Sequence, residues 1–382
     1  MHICFVVEGY PFKNDSSMPF VRELIHQLAL NGIDCSVIAP QSITKMLKKH
    51  VPYRPTKWVD EIDKSHRIIV YQPRYISFSN HFLGVEDALR VCAIRRAGRN
   101  LNKKKGIDAL YCHFWHMGAL ACMAVPDIPI YVACGESRIS IMDRFDASVI
   151  RNLLERLLGV IYVGTKSYVE AKELGLQTNQ PYIIAPNGYN ASEFYKCDRR
   201  KCRRKLGFDE SMFIVSFVGG FNKRKGADRL CAALKILNQE DAVHSIFIGK
   251  GTVTLDCENI AFCGSVKHEE IVEYLNASDV FVLPTNAEGC CNAIIEALAC
   301  GLPVISSNQI FNADILDDSC SITIDPMNID GLVSAIRCIK KNEVLRTQLA
   351  EGALQKSKQL RIEDRARRIK AFLVGNYAKR YN

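Results

Sequence analysis

The chain has 382 residues, 48% of them apolar, and a formal net charge of +9. This length suits two domains with full hydrophobic cores. The 16 cysteines show no CxxC pair and no zinc spacing, so they read as reduced core residues of a cytosolic protein and exclude a small disulfide-stapled scaffold.

The N-terminus "MHICFVVEGY" runs straight into an apolar strand without a basic leader region, and no signal peptide is expected. "ICFVVEG" (3–9) is a strand, and "PFVRELIHQLALNG" (19–32) carries apolar residues on one helix face before Gly32 stops it. "DCSVIAP" (34–40) completes a βαβ start. The basic run "RRAGRNLNKKK" (95–105) holds much of the positive excess. Its plain reading is a solvated helix end, and its functional reading is an approach to anionic lipid or a phosphorylated acceptor. It has no interleaved aromatics, so nucleic acid is not an expected partner. The longest apolar stretch, 109–125, contains His113 and His116 and falls short of the roughly 20 residues of a bilayer span.

Four more strands follow in "DALYCHF", "IPIYVAC", "LGVIYVG" and "PYIIAP". The alternation pauses at "PNGYNASEFYKCDRRKCRRKLGFD" (186–209), a turn followed by a basic segment, and resumes with "FIVSFVGG" (213–220). Strand and helix patterns then alternate through "HSIFIGKG", "IAFCGSV", "HEEIVEYLNAS", "DVFVLPT", "NAIIEALACG" and "PVISSN". The pattern predicts an α/β protein of two Rossmann-like doubly wound domains facing a cleft, with ligands at the carboxyl ends of the strands. The expected boundaries are 1–185 for the first domain, 186–207 for a linker, 208–362 for the second domain, and 363–382 for a helix returning to the first domain.

Two loops carry the candidate chemistry. In "VGGFNKRKGADRL" (218–230), a strand ends, cations follow, and a helix begins. Its backbone amides, with Arg224 or Lys225 above them, suit a diphosphate, while the plain reading is a basic surface turn. In "NAEGCCNAIIEALACGLPVIS" (286–306), Gly289 allows close backbone approach, and the amides of Cys290, Cys291 and Asn292 open a helix. Glu288 stands at the rim for sugar hydroxyls, and Glu296, about one turn into the helix, suits a cis-diol such as a ribose. A dipole-favouring acid with a second, exposed acid is the plain reading of the same pair.

The pattern "EGCCNAIIEALACGLPVIS" resembles the E-x7-E signature of the retaining glycosyltransferases of family four, which have the GT-B fold. "APNGYNASEF", "VGGFNKRKG" and "NIAFCGSVKHEEIVEYLNASDVFVLPT" extend the resemblance over nearly the whole chain. It implies that Lys225 neutralises the donor diphosphate in the loop that opens at Gly219, with Arg224 or Lys223 standing in for the arginine that the family often has after that glycine, and that Glu288 contacts the transferred sugar. It also implies that the backbone of Gly289, Cys290, Cys291 and Asn292 lies against sugar and phosphate, and that Glu296 holds the ribose. The implied reaction uses a nucleotide-diphosphate sugar as substrate and no metal or other cofactor. The implied partner is a glycan or lipid-linked acceptor, with peripheral contact at the inner, anionic face of a membrane.

This chain departs from the pattern in three places. Gly220 stands where the family often has arginine, and "NDSSM" with Asp15 replaces a Gly-Gly pair. Cys134 and Gly135 stand where the family has a histidine. Glu136 is then the acid nearest to assist acceptor deprotonation, and His113 and Asp15 are acceptor or positioning candidates. Two other readings remain open on the residues: a sugar-nucleotide epimerase of the same fold, and a donor-binding scaffold that has lost turnover.

Overall fold

The computed structural model describes residues 1–12, 18–49, 54–78 and 82–381. The candidate Asp15, with most of the "NDSSM" loop, lies outside the described residues. The chain divides into two compact units. One comprises Met1–Val163, Ser167–Ala185 and Ala366–Asn382, and the other Gly164–Lys166 and Pro186–Arg365.

The first unit contains strands β1 (His2–Val6), β2 (Asp34–Ile38), β3 (Gln41–Ser42), β4 (Lys57–Glu61), β5 (Arg67–Tyr71), β6 (Arg74–Tyr75), β7 (Ala109–His113), β8 (Ile130–Cys134), β9 (Leu157–Tyr162) and β10 (Tyr182–Ile184). Eight of them form one sheet in the order β10-β9-β8-β7-β1-β2-β5-β4, and β3 pairs with β6 in a small separate ladder. All pairings in the large sheet are parallel except that of β4 with β5. Strands β1, β7, β8 and β9 are buried along their whole length, which is why they read as continuous apolar runs. The basic run 95–105 is the second half of a 23-residue helix, Leu83–Lys105, that ends in three exposed lysines.

The second unit holds β11 (Ile214–Val218), β12 (His244–Ile248), β13 (Ile260–Gly264), β14 (Val280–Leu283), β15 (Val304–Ser307) and β16 (Ser321–Ile324). They form a parallel sheet in the order β13-β12-β11-β14-β15-β16. The order reverses direction between β11 and β14, so the loops at their carboxyl ends open side by side, the place where such sheets take ligands. Those two loops are 219–226 and 284–291, the pair singled out in the sequence.

Residues 186–207 belong to this second unit and include a helix, Arg199–Leu206. The Asp198 carboxylate caps it, accepting from Lys201 N at 2.8 Å, and buried Arg203 donates to Asp279 at 2.7 Å and to the Ala277 carbonyl at 2.8 Å. The helix Ile362–Tyr381 places Ala366, Ile369 and Leu373 in the interior of the first unit. There Tyr131 donates to the Leu373 carbonyl at 2.7 Å and Lys370 to the Asn31 carbonyl at 2.6 Å. None of the 16 cysteines is in a disulfide.

Candidate active site

Loop 219–226 is built to lie against loop 284–291. Gly226 has φ +81°, and a Cβ there would stand 2.4 Å from the Pro284 carbonyl oxygen, so only glycine allows this approach. A glycine is equally required at 249, where a Cβ would meet the Gly219 carbonyl oxygen at 1.9 Å. Buried Arg229 ties the loops together. It donates to the carbonyls of Pro284 at 2.6 Å and Lys223 at 2.8 Å, and to the Asn286 side chain at 3.1 Å. The Asn286 amide completes the seam by donating to the Arg224 carbonyl at 2.8 Å.

Four side chains converge where the loops meet. Glu288 is 7% exposed, and its Oε1 lies 2.7 Å from Lys225 Nζ and 3.0 Å from Arg224 Nη1, and accepts from Thr285 Oγ1 at 2.7 Å. Burial works against the Lys225 charge. The Cys291 and Glu288 side chains outweigh it and raise the ammonium above its ordinary range. Asn222 fixes the backbone beneath, accepting from Lys225 N at 2.9 Å. Lys225 also packs over Gly219, with its Cδ 3.6 Å from where a Cβ would be. The result is a compact cluster of two cations and one acid at the carboxyl edge of the sheet.

The segment Gly289 to Asn292 leads into the helix Asn292–Ala299. The side chain of Asn187, from the Pro-Asn-Gly turn, holds it in place, donating to the Cys290 carbonyl at 3.1 Å and to Asn292 Oδ1 at 2.8 Å. Burial pushes the Cys290 thiol up to about 12 and the Cys291 thiol upward as well. Both sulfurs are therefore packing groups at neutral pH, and the backbone is what this segment offers to a ligand.

Glu296 has a different partner set. Its carboxylate lies 3.3 Å from His268 Nε2, and the other face of that ring, Nδ1, lies 3.5 Å from Glu193. Phe194 packs edge-on against the same ring at 5.2 Å. Hydrogen bonds to Glu193 and then Glu296 push His268 up to about 10, so the ring is a cation at neutral pH. The structure thus joins Glu288 with Arg224, Lys225 and Gly219, and gives Glu296 its own cationic partner. His268, Arg229 and Thr285 were not among the residues expected from sequence. Only Thr285 had a local signal, a hydroxyl three residues before an acid.

The remaining candidates belong to the first unit. Glu136 follows β8 and accepts from the amides of Trp115 at 2.6 Å and Gly135 at 3.0 Å, the first of these at the start of the helix Trp115–Ala124. Burial outweighs those bonds and pushes its carboxyl up to about 7. His113 is buried at the end of β7 between Phe20 and Phe114, with ring separations of 5.7 and 4.5 Å. His116 lies 3.9 Å from Glu8, and burial pulls it down to about 4.

Residues 198–356 match the family of group 1 glycosyl transferases. The match spans both candidate loops, Glu288, Glu296 and His268. Over 370 residues, 92% of each chain, this sequence is 25% identical to TuaC of Bacillus subtilis, which is named as a glycosyltransferase of teichuronic acid biosynthesis. In shape the chain is similar to sucrose-phosphate synthase of Thermosynechococcus elongatus, with a TM-score of 0.80 at 19% identity and 99% of both chains covered. It is also similar to HepE of Anabaena, solved in complex with UDP, with a TM-score of 0.72 at 16% identity, covering 98% of this chain and 100% of that one. These likenesses show the fold, the α/β architecture of the GT-B glycosyltransferases with its parallel sheets. The match is to the group 1 family as a whole.

Proposed function

We propose that this protein is a retaining glycosyltransferase that moves a sugar from a nucleotide-diphosphate sugar to a hydroxyl acceptor in polysaccharide or glycolipid assembly. The observation that carries the reading is the Arg224–Lys225–Glu288 cluster beside the amides that open the helix Asn292–Ala299. Glu288 supplies the negative charge between the two cations. A bound diphosphate takes over that role and leaves Glu288 free to accept from sugar hydroxyls.

As the bond from sugar to diphosphate breaks, charge accumulates on the leaving oxygen and an oxocarbenium-like centre forms. Lys225, Arg224 and the loop amides stabilise that charge without reorganising, and no metal is assigned to the step. Glu296, held by His268, accepts the ribose hydroxyls. Glu136, with a carboxyl that titrates near neutrality, is assigned to the acceptor with His113 as a positioning group. The acceptor is a glycan or a lipid-linked sugar, reached by peripheral contact with an anionic membrane. The match to group 1 glycosyl transferases and the UDP complex of HepE support a nucleotide-sugar donor.

The test is incubation with a panel of nucleotide sugars, following release of nucleoside diphosphate and the fate of the sugar. Release of nucleotide supports the transferase. A new epimer, or tight binding with no chemistry across the panel, overturns it.

A further inference from the structure

Two cysteines of the second unit, Cys231 and Cys257, meet outside the residues assigned to the reaction. Cys231 stands on the helix Ala227–Leu237, which starts directly behind the loop 219–226. Cys257 stands in the irregular segment between β12 and β13. Both side chains are buried, while the neighbouring Asp256 and Glu258 are exposed, so the pair lies just beneath an exposed loop. Neither sulfur is in a disulfide.

Donors converge on one sulfur. Cys257 N donates to Cys231 Sγ at 3.0 Å, and the Cys257 thiol and the Asp256 amide donate to it as well. Successive amides aimed at one point form a concavity for negative charge. The Asp256 carboxylate, 3.7 Å from Cys231 Sγ, opposes a charge there, but Lys235 Nζ engages that carboxylate at 2.5 Å. The Cys257 thiol above all, and then the two amides, pull Cys231 down to about 7 against the effect of burial. The same bond pushes Cys257 up, so it keeps its proton. Burial elsewhere pushes Cys4 and Cys290 up to about 12. The pair thus joins a nucleophilic sulfur to a protonated one. The segment that carries Cys257 also reaches the loop 219–226. Phe221 N donates to the Lys250 carbonyl at 3.0 Å, and Val253 N to the Phe221 carbonyl at 3.1 Å.

We propose that Cys231 and Cys257 are a peroxide-sensitive dithiol, which closes to a disulfide that locks the segment 250–257 onto the helix Ala227–Leu237 and is reopened by an external dithiol. The Cys231 thiolate attacks one oxygen of hydrogen peroxide and the O–O bond breaks. Cys231 becomes a sulfenic acid, and the departing hydroxide takes up a proton and leaves as water. The Cys257 sulfur then attacks the sulfenic sulfur and the S–O bond breaks. The thiol proton leaves with that oxygen as a second water. Two electrons pass from the sulfurs to the peroxide, and an external dithiol returns them by exchange.

The experiment treats the full, reduced chain with hydrogen peroxide at neutral pH and maps its peptides by mass spectrometry without reductant. A Cys231–Cys257 cross-link, lighter by two hydrogens, should form faster than the exposed Cys92, Cys263 and Cys338 are modified, and dithiothreitol should remove it. Cys257→Ser should leave Cys231 as a sulfenic acid that dimedone traps, and Cys231→Ser should leave Cys257 a free thiol. In the oxidised wild type, hydrogen exchange at the amides of Phe221 and Val253 should slow, because the cross-link restrains the segment that holds them. The cross-link and the exchange are both read on the wild type, so a serine variant that fails to fold leaves the test intact. Oxidation of the exposed cysteines with Cys231 untouched, a cross-link from either thiol to Cys263, or unchanged exchange at both amides each overturns the proposal. No readout uses a nucleotide sugar, so the outcome is independent of the transfer reaction.

Discussion

Glu288 is nearly buried and faces two cations and a hydroxyl. A buried carboxylate of this kind is retained only where its partners are complete. Lys225→Ala should lower both kcat and donor affinity, each by about 1.5–3 kcal/mol, because a diphosphate gains negative charge as it leaves. Lys225→Arg should keep partial activity, since the charge survives and the compact geometry does not. Steady-state kinetics on both, with Arg224→Ala beside them, will separate the two cations. Turnover lost only in Arg224→Ala would move the diphosphate contact by one residue.

Glu296→Ala should weaken nucleoside diphosphate binding by about 1.5–3 kcal/mol in calorimetry, and unchanged affinity would refute the ribose role. His268 adds a pH signature. Its folded value is raised from 6.5 to about 10, so the native state holds more protons than the unfolded chain in that interval. The stability it contributes is complete below about 6.5 and is lost as pH rises toward about 10. The difference in stability between the wild type and His268→Gln should therefore shrink over that window, and a difference flat across it would exclude the pairing. Arg224, Lys225 and Glu288 were legible in the sequence because each sits in a short loop directly after an apolar strand. His268 was not, because its partners Glu193 and Glu296 come from distant parts of the chain, and only folding brings them together.

At the scale of elements, the site depends on how closely two loops can approach. Gly226→Ala adds a methyl group 2.4 Å from the Pro284 oxygen in a left-handed backbone. The conformation alone costs about 1–2 kcal/mol, and relieving the clash must separate the loops that carry Lys225 and Glu288. The expected outcome is a lower Tm together with weaker nucleotide binding. A variant that melts lower but binds nucleotide as the wild type does would show that the seam does not shape the site. The parallel strands were readable because burial on both faces makes them continuous apolar runs. The β4–β5 hairpin was missed for the opposite reason: it lies at the sheet edge, where "KWVDE" exposes alternate residues. Helix caps were equally silent. Asn328 and Asn342 each accept from a backbone amide at 2.9 Å, but nothing in a lone asparagine separates a cap from a turn.

For the whole molecule, the two units hold separate hydrophobic cores with no buried residue in common. The final helix belongs to the first unit although the residues just before it belong to the second. Local stability follows local packing, so damage at Leu373 should be felt where Leu373 is buried. That side chain is fully enclosed, and Leu373→Ala should destabilise the first unit by about 2–5 kcal/mol through lost burial and the cavity left behind. Hydrogen exchange should then accelerate across β7, β8 and β9, while the amides of β11, β12 and β14 keep their protection. If all six strands lose protection together and by the same amount, the units unfold as one cooperative body. The C-terminal helix would then be a clasp for the entire chain rather than a component of the first sheet's packing.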